Sequence, residues 1–148
     1  MPQSFVSIHV HAIFSTQGRI PYLADPFFRS EMHAYLGGIS RSLKCTPIAV
    51  GGPSDHIHIL MKVEKMMTVP AWIKEVKRSS SIFAKDFSPQ FAWQSGYAAY
   101  GVDARGIDGL IQYIENQETH HAKVSFQDEL RDLLREQGID FDERYLWD

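Results

Sequence analysis

Residues 55–63, Asp55-His56-Ile57-His58-Ile59-Leu60-Met61-Lys62-Val63, decide the fold. They follow the turn formers Gly51-Gly52-Pro53-Ser54, and apolar residues recur at Ile57, Ile59, Met61 and Val63. That period of two is the mark of a strand with one face on a core. Successive side chains of a strand point to opposite faces, so His56 and His58 share the other face. Two imidazoles at i and i+2 are close enough to hold one small object, and a divalent metal ion is a common occupant of such a pair. The same pair also suits two polar residues on a wetted strand face, so a third partner has to decide.

The elements on either side build the fold. Cys45 to Gly51 (CTPIAVG) is short, apolar and bounded by turn residues, which makes it a strand forming a hairpin with residues 55–63. Upstream, Phe5 to Phe14 (FVSIHVHAIF) alternates as a strand and carries a second histidine pair, His9 and His11. Asp25-Pro26 reads as an N-cap followed by proline at the first helical position, with Phe28, Met32, Tyr35 or Leu36, and Ile39 at helical spacing behind it. Downstream, Thr68 and Pro70 open a second helix with Val69, Trp72, Ile73, Val76 and Phe83 on its buried side. Lys74, Lys77, Arg78, Ser81 and Lys85 give it one basic, hydroxylated face: a solvated surface, or phosphate contacts if the neighbouring sheet needs them.

Phe91 to Val102 (FAWQSGYAAYGV) has strand character, and a third helix runs from about Ile107 to Ala122 with Ile107, Leu110, Ile111 and Ile114 as its stripe. Tyr113 and Gln117 lie one turn apart beside that stripe, and His120 and His121 continue the same side. Ser125 with Asp128 reads as a capping box for a fourth helix that Gly138 stops. The tail, with Phe141, Tyr145, Leu146 and Trp147, packs on the body or on a partner. The order is βαββαβ and then helices: a ferredoxin-like α+β fold with an antiparallel sheet. Its first and third strands are central neighbours, which brings the two histidine pairs near each other.

The chain's 148 residues make one ordinary domain, with a ferredoxin-like core over about 1–104 and the tyrosine helix, C-terminal helix and tail over about 105–148. Apolar content of 44% and charged content of 22% describe a globular chain, not a disordered one. No run approaches the roughly 18 apolar residues of a membrane span, and no basic-then-apolar leader opens the sequence. A single cysteine, Cys45, excludes an intramolecular disulfide and a cysteine-built zinc site. A cytoplasmic setting without a membrane partner is therefore expected. The net charge of −3 gives no global pull toward nucleic acid, so such binding has to rest on a local patch.

A divalent ion on paired imidazoles can polarise a phosphoryl oxygen, and a tyrosine one helical turn from a ligand can attack in line as a covalent nucleophile. With these pieces in place the chain resembles, over nearly its whole length, the HUH single-tyrosine transposases of the IS two-hundred/six-hundred-and-five insertion-sequence group and the related REP-associated tyrosine transposases. The resemblance rests on an ordered set: Phe14-Ser15-Thr16 with Arg19; Asp55-His56-Ile57-His58-Ile59-Leu60; Trp72-Ile73-Lys74 with Ser79-Ser80; Trp93-Gln94-Ser95-Gly96-Tyr97; Tyr113-Ile114-Glu115-Asn116-Gln117 with His120-His121; and Phe126-Gln127-Asp128-Glu129-Leu130.

The resemblance implies Tyr113 as nucleophile and His56, His58 and Gln117 as ligands of magnesium or manganese, with His120 or His121 as alternatives to Gln117. It implies a substrate of single-stranded DNA with hairpin ends, cut and rejoined through a 5′-phosphotyrosine link, and a homodimer in which one copy's tyrosine helix can complete the other's site. Arg19, Lys74, Lys77, Arg78, Trp93 and Tyr97 are the candidate DNA contacts. His11, His120 and His121 are the candidates for support behind the ligands. Gln17 and Gly18 depart from the aromatic residue and lysine that many relatives carry there, which weakens that loop as a DNA contact. Two other classes fit parts of the pattern. One is a single-stranded nucleic-acid-binding module of the same fold that does not cut. The other is a histidine-dependent nucleotide hydrolase, for which Leu60 stands where a third alternating histidine is wanted.

Overall fold

The computed structural model describes residues 2–147. Its strands are β1 (Ile8–Ser15), β2 (Thr46–Gly51), β3 (His56–Val63) and β4 (Ala98–Val102). Its helices are α1 (Pro26–Ser42), α2 (Val69–Lys85), α3 (Ile107–Glu115), α4 (Gln117–His121) and α5 (Phe126–Glu136). The strands form one antiparallel sheet in the order β2-β3-β1-β4, the α+β arrangement expected from the βαββαβ pattern. Both long helices start where the caps predict. Asp25 accepts from the Phe27 amide at 2.9 Å, Thr68 accepts from the Ala71 amide at 3.2 Å, and a proline opens each first turn.

The alternation along β3 sorts the molecule into two cores. Ile57, Ile59, Met61 and Val63 join Phe28, Met32 and Leu36 of α1 and Trp72, Ile73 and Val76 of α2. Trp72 is fully buried there, and its ring N–H donates to Ser40 Oγ at 2.9 Å, so the largest side chain of that core leaves no polar atom unpaired. The opposite face is covered too. Ile13, Phe126, Leu130 and Leu134 form a second core, with Phe141, Leu146 and Trp147 of the tail against it. His56 and His58 are therefore not on a wetted face.

Two elements differ from the sequence reading. Only Ala98–Val102 of the 91–102 segment is strand, preceded by an isolated bridge between Thr16 and Trp93. The carbonyls of Gln94 and Gly96 accept from Lys77 Nζ at 2.8 and 2.7 Å instead of entering a ladder. The helix expected over 107–122 is broken at Asn116 (φ −98°, ψ 17°), which turns Gln117 under the sheet. Of its proposed stripe only Ile114 is fully buried, and it packs against Gly51 of β2. A Cβ on Gly51 would stand 2.6 Å from the Ile114 carbonyl oxygen. Gly51→Ala should thus push α3 off the sheet, at about 1–3 kcal/mol by the usual toll of overpacking. Urea unfolding measures it, and a midpoint equal to wild type would refute the contact's importance.

Candidate metal and tyrosine site

β3 presents His56 and His58 on one face at i and i+2, and both are 0% exposed. What covers them is α5. Ser125 Oγ caps that helix by accepting from the Asp128 amide at 3.2 Å. Phe126 then stacks on the His56 ring with centroids 4.1 Å apart. Three residues on, Glu129 lowers its carboxylate between the imidazoles. Its Oε1 lies 3.0 Å from His58 Nε2, 3.3 Å from His56 Nε2 and 3.0 Å from His121 Nε2. Its Oε2 accepts from the Tyr113 hydroxyl and, at 3.1 Å, from Gln117 Nε2, and lies 3.2 Å from His120 Nε2. Tyr113, Gln117, His56, His58, His120 and His121 thus converge on one carboxylate.

Glu129 was not singled out in the sequence, although a signal exists. It falls three residues after Phe126 and four before Leu133, a charged residue inside the apolar stripe of an amphipathic helix. Gln117 reaches the cluster through the break at Asn116 rather than along a continuous helix: it is buried, with Oε1 3.3 Å from His56 Nε2. His11 pairs across the sheet with Leu60 and reaches diagonally to His58, the two ring nitrogens 2.8 Å apart, with Tyr100 OH 2.6 Å from its far nitrogen. His9 pairs with Lys62 at the other end of the strand and takes no part.

The imidazoles point the right way for a cation. His56 Nδ1 lies 2.8 Å from Asp55 Oδ1 and His121 Nδ1 lies 2.7 Å from the Val124 carbonyl oxygen. Those partners only accept, so each Nδ1 carries a proton and Nε2 is the nitrogen left toward the cluster, the usual posture of a metal-binding histidine. His121 Nε2 is buried and makes no hydrogen bond, although Glu129 Oε1 is 3.0 Å away. His56, His58, His121 and Glu129 bring four donor atoms within 4.8 Å of one another, a set that fits a metal ion.

The proposed DNA contacts gather elsewhere. Lys74, Lys77, Arg78, Trp93 and Tyr97 line one open groove of about 520 Å³ beside α2, on the sheet face away from the histidines. Within it Lys77 is tied to backbone carbonyls and packed over the Phe14 ring, Trp93 donates to Ser80 Oγ, and Arg78 pairs with Glu75. Lys74 and Tyr97 face solvent. Arg19 stands apart from them, over the Trp147 ring at 5.4 Å. Tyr113 instead opens onto a second groove with Tyr100, Leu110, His120 and Glu129, where Asp132 and Glu136 make the wall acidic.

Residues 4–117 match the family described as "Transposase IS200 like". The fold is similar to that of a proposed transposase from Deinococcus radiodurans, at 21% identity and a TM-score of 0.63 over 79% of this chain and 96% of that one. It is also similar to a REP-associated tyrosine transposase bound to a REP hairpin, at 11% identity and a TM-score of 0.62 over 84% of this chain and 74% of that one. No curated protein matches. Among the described residues no helix is long and apolar enough to cross a membrane.

Burial sets the charges. Desolvation alone would raise the Glu129 carboxyl, but His121, His56 and His58 outweigh it and hold the group ionised, well below its usual range. Burial, reinforced by the hydrogen bond to Glu129, pushes the Tyr113 hydroxyl up. Burial also takes His58 down to about 4, His11 to about 3 and, on α1, His33 to about 4. For His56, burial is outweighed by Asp55 and Glu129, and its pKa rises above 6.5. The signs give a peaked stability profile for the metal-free protein. The three depressed imidazoles stabilise fully above pH 6.5 and lose that contribution as pH falls toward their folded values, each by up to about 1.4 kcal/mol per pH unit. His56 contributes fully below 6.5 and loses its share as pH rises through its folded value. Urea unfolding in chelator should therefore show a maximum near pH 6.5 with a steeper acid limb; a flat profile from pH 4 to 6.5 would contradict these assignments.

Proposed function

The chain belongs to the family of IS200-like transposases, and on that premise we propose that it cuts and rejoins single-stranded DNA with the Tyr113 hydroxyl as nucleophile. The observation that carries this reading is the meeting of that hydroxyl with the two-histidine cluster. Tyr113 hydrogen-bonds the same carboxylate that touches His56 and His58, and its ring centroid lies 5.7 Å from that of His58. His56, His58 and Gln117 hold a divalent ion, magnesium or manganese, which when bound polarises the phosphate and offsets the charge that develops on it. The acidic wall of Asp132 and Glu136 offers a phosphodiester no attraction of its own, so the cation is what lets a phosphate settle beside Tyr113.

In the cleavage step the Tyr113 Oη–phosphorus bond forms as the bond from phosphorus to the 3′ oxygen breaks. The phenolic proton leaves along the hydrogen bond to Glu129 Oε2, and the departing 3′ oxygen takes a proton from solvent. The 5′-phosphotyrosine link keeps the energy of the broken bond, so a later attack by a 3′ hydroxyl can rejoin strands. Hairpin-bearing single strands are the substrate class, the ligand of the REP-hairpin complex being of this kind. Lys74, Arg78 and Tyr97 would take part of the strand by charge and stacking in the groove beside α2, with Lys77 and Trp93 shaping it. Tyr113 stands beside the His58 of its own chain, so one chain assembles the site, and a homodimer adds strand-binding surface or exchanges α3 between copies.

The test is a covalent trap. Wild type and Tyr113→Phe are mixed with single-stranded DNA from the flanks of the gene, with manganese and then with chelator. A protein–DNA adduct that needs the ion and is lost in Tyr113→Phe is the expected result. Tight DNA binding without any adduct would replace this reading with that of a non-cutting module.

A further inference from the structure

The family match ends at Gln117, yet the cluster is finished by residues beyond it. We propose that Glu129 and His121 are themselves ligands of the ion. The protein donors are then Nε2 of His56, His58 and His121 and Oε1 of Glu129, with the Gln117 carboxamide oxygen a fifth donor, and the site selects a first-row transition ion over magnesium. The inference rests on the reading of His56 and His58 as metal ligands.

The spacing is the first support. Metal–nitrogen and metal–oxygen bonds of about 2.0–2.1 Å put neighbouring ligand atoms about 3.0 Å apart at right angles and about 3.4 Å apart in a tetrahedron. Glu129 Oε1 stands 3.0, 3.0 and 3.3 Å from the three Nε2 atoms. The second support is chemical. His121 Nδ1 faces the Val124 carbonyl, and its buried Nε2 is left without a hydrogen bond although Glu129 Oε1 is 3.0 Å away. A cation bound between these two atoms would engage both. The third support is burial. Glu129 is only 3% exposed, and each of its ion-pair-range neighbours is an imidazole.

The donor set then names the ion class. Magnesium prefers an all-oxygen, largely hydrated shell, whereas imidazoles with one carboxylate suit manganese and the later divalent ions. Glu129 also joins the two halves of the site, since Oε2 accepts from the Tyr113 hydroxyl while Oε1 lies among the ligands. In this arrangement α5 is part of the metal centre rather than a cover over it.

The experiment is calorimetric titration of the chelator-stripped full chain with Mn²⁺ and with Mg²⁺, on wild type, Glu129→Gln and His121→Gln, with circular dichroism as the fold control. Wild type should bind Mn²⁺ at least tenfold more tightly than Mg²⁺, and each variant should lose roughly 10- to 100-fold or more in Mn²⁺ affinity. Equal or tighter Mn²⁺ binding by Glu129→Gln would overturn the proposal and make Glu129 an occupant that the ion displaces. If the variants do not fold, X-ray absorption of Mn²⁺-loaded wild type decides: three imidazoles support the ligand set and two overturn it. The covalent trap separates this question from the enzyme reading. Glu129-dependent Mn²⁺ binding without an adduct leaves the ligand set standing and removes the strand-cutting activity. A metal-dependent adduct with unchanged Mn²⁺ affinity in Glu129→Gln does the reverse.

Discussion

One buried carboxylate organises this structure. An ionised side chain moved out of water costs several kcal/mol unless charge and hydrogen bonds replace the lost hydration. Glu129 is nearly inaccessible, and its compensation comes from four histidines, a tyrosine hydroxyl and a carboxamide. Those groups are carried by β3, α3 and α4. The interaction therefore fixes how the C-terminal third sits on the sheet, and removing either side of it leaves an uncompensated polar group in a closed space.

The sheet explains why such a site can exist. In a sheet with one wet face, His56 and His58 would titrate as ordinary surface imidazoles. Here α1 and α2 cover one face and α5 with the tail covers the other, so both histidines are desolvated without joining the aliphatic core. The same alternation that buries Ile57 and Ile59 aims the imidazoles into the second layer. Cross-strand neighbours then bring His11 against His58 and set Tyr100 behind His11, a chain of ring nitrogens and a hydroxyl running back from the cluster.

Much of this was legible in the residues. The strand of 56–63, the proline-opened helices and the central pairing of the first and third strands follow from period-two alternation and caps, both local in sequence. Tyr113 and Gln117 were legible for the same reason, being one turn apart. The break at Asn116 was not, because a single Asn, though a poor helix former, is a weak stop signal on its own; the chain turns there to bury Gln117 and to let Arg29 of α1 reach Glu118. Nor was the short β4, since only tertiary contact sends Lys77 to the carbonyls that would have extended it. Glu129 was hidden by its surroundings. An acid in the first turn of a helix has an ordinary explanation in the helix dipole, and only its place among Phe126, Leu130 and Leu133 says that it points inward.

That placement bears on how the proposed nucleophile and ion would work together. The phenol of Tyr113 is held protonated by burial and by its bond to Glu129, while the histidines keep the carboxylate ionised. In that pair the phenol is the partner that carries the proton, and its hydrogen bond to Glu129 orients it. On the proposed reading, positive charge beside Oε1 would offset the charge of an entering phosphate. One carboxylate touches both the tyrosine hydroxyl and the histidine cluster, so on that reading a single side chain would couple the nucleophile to the ion.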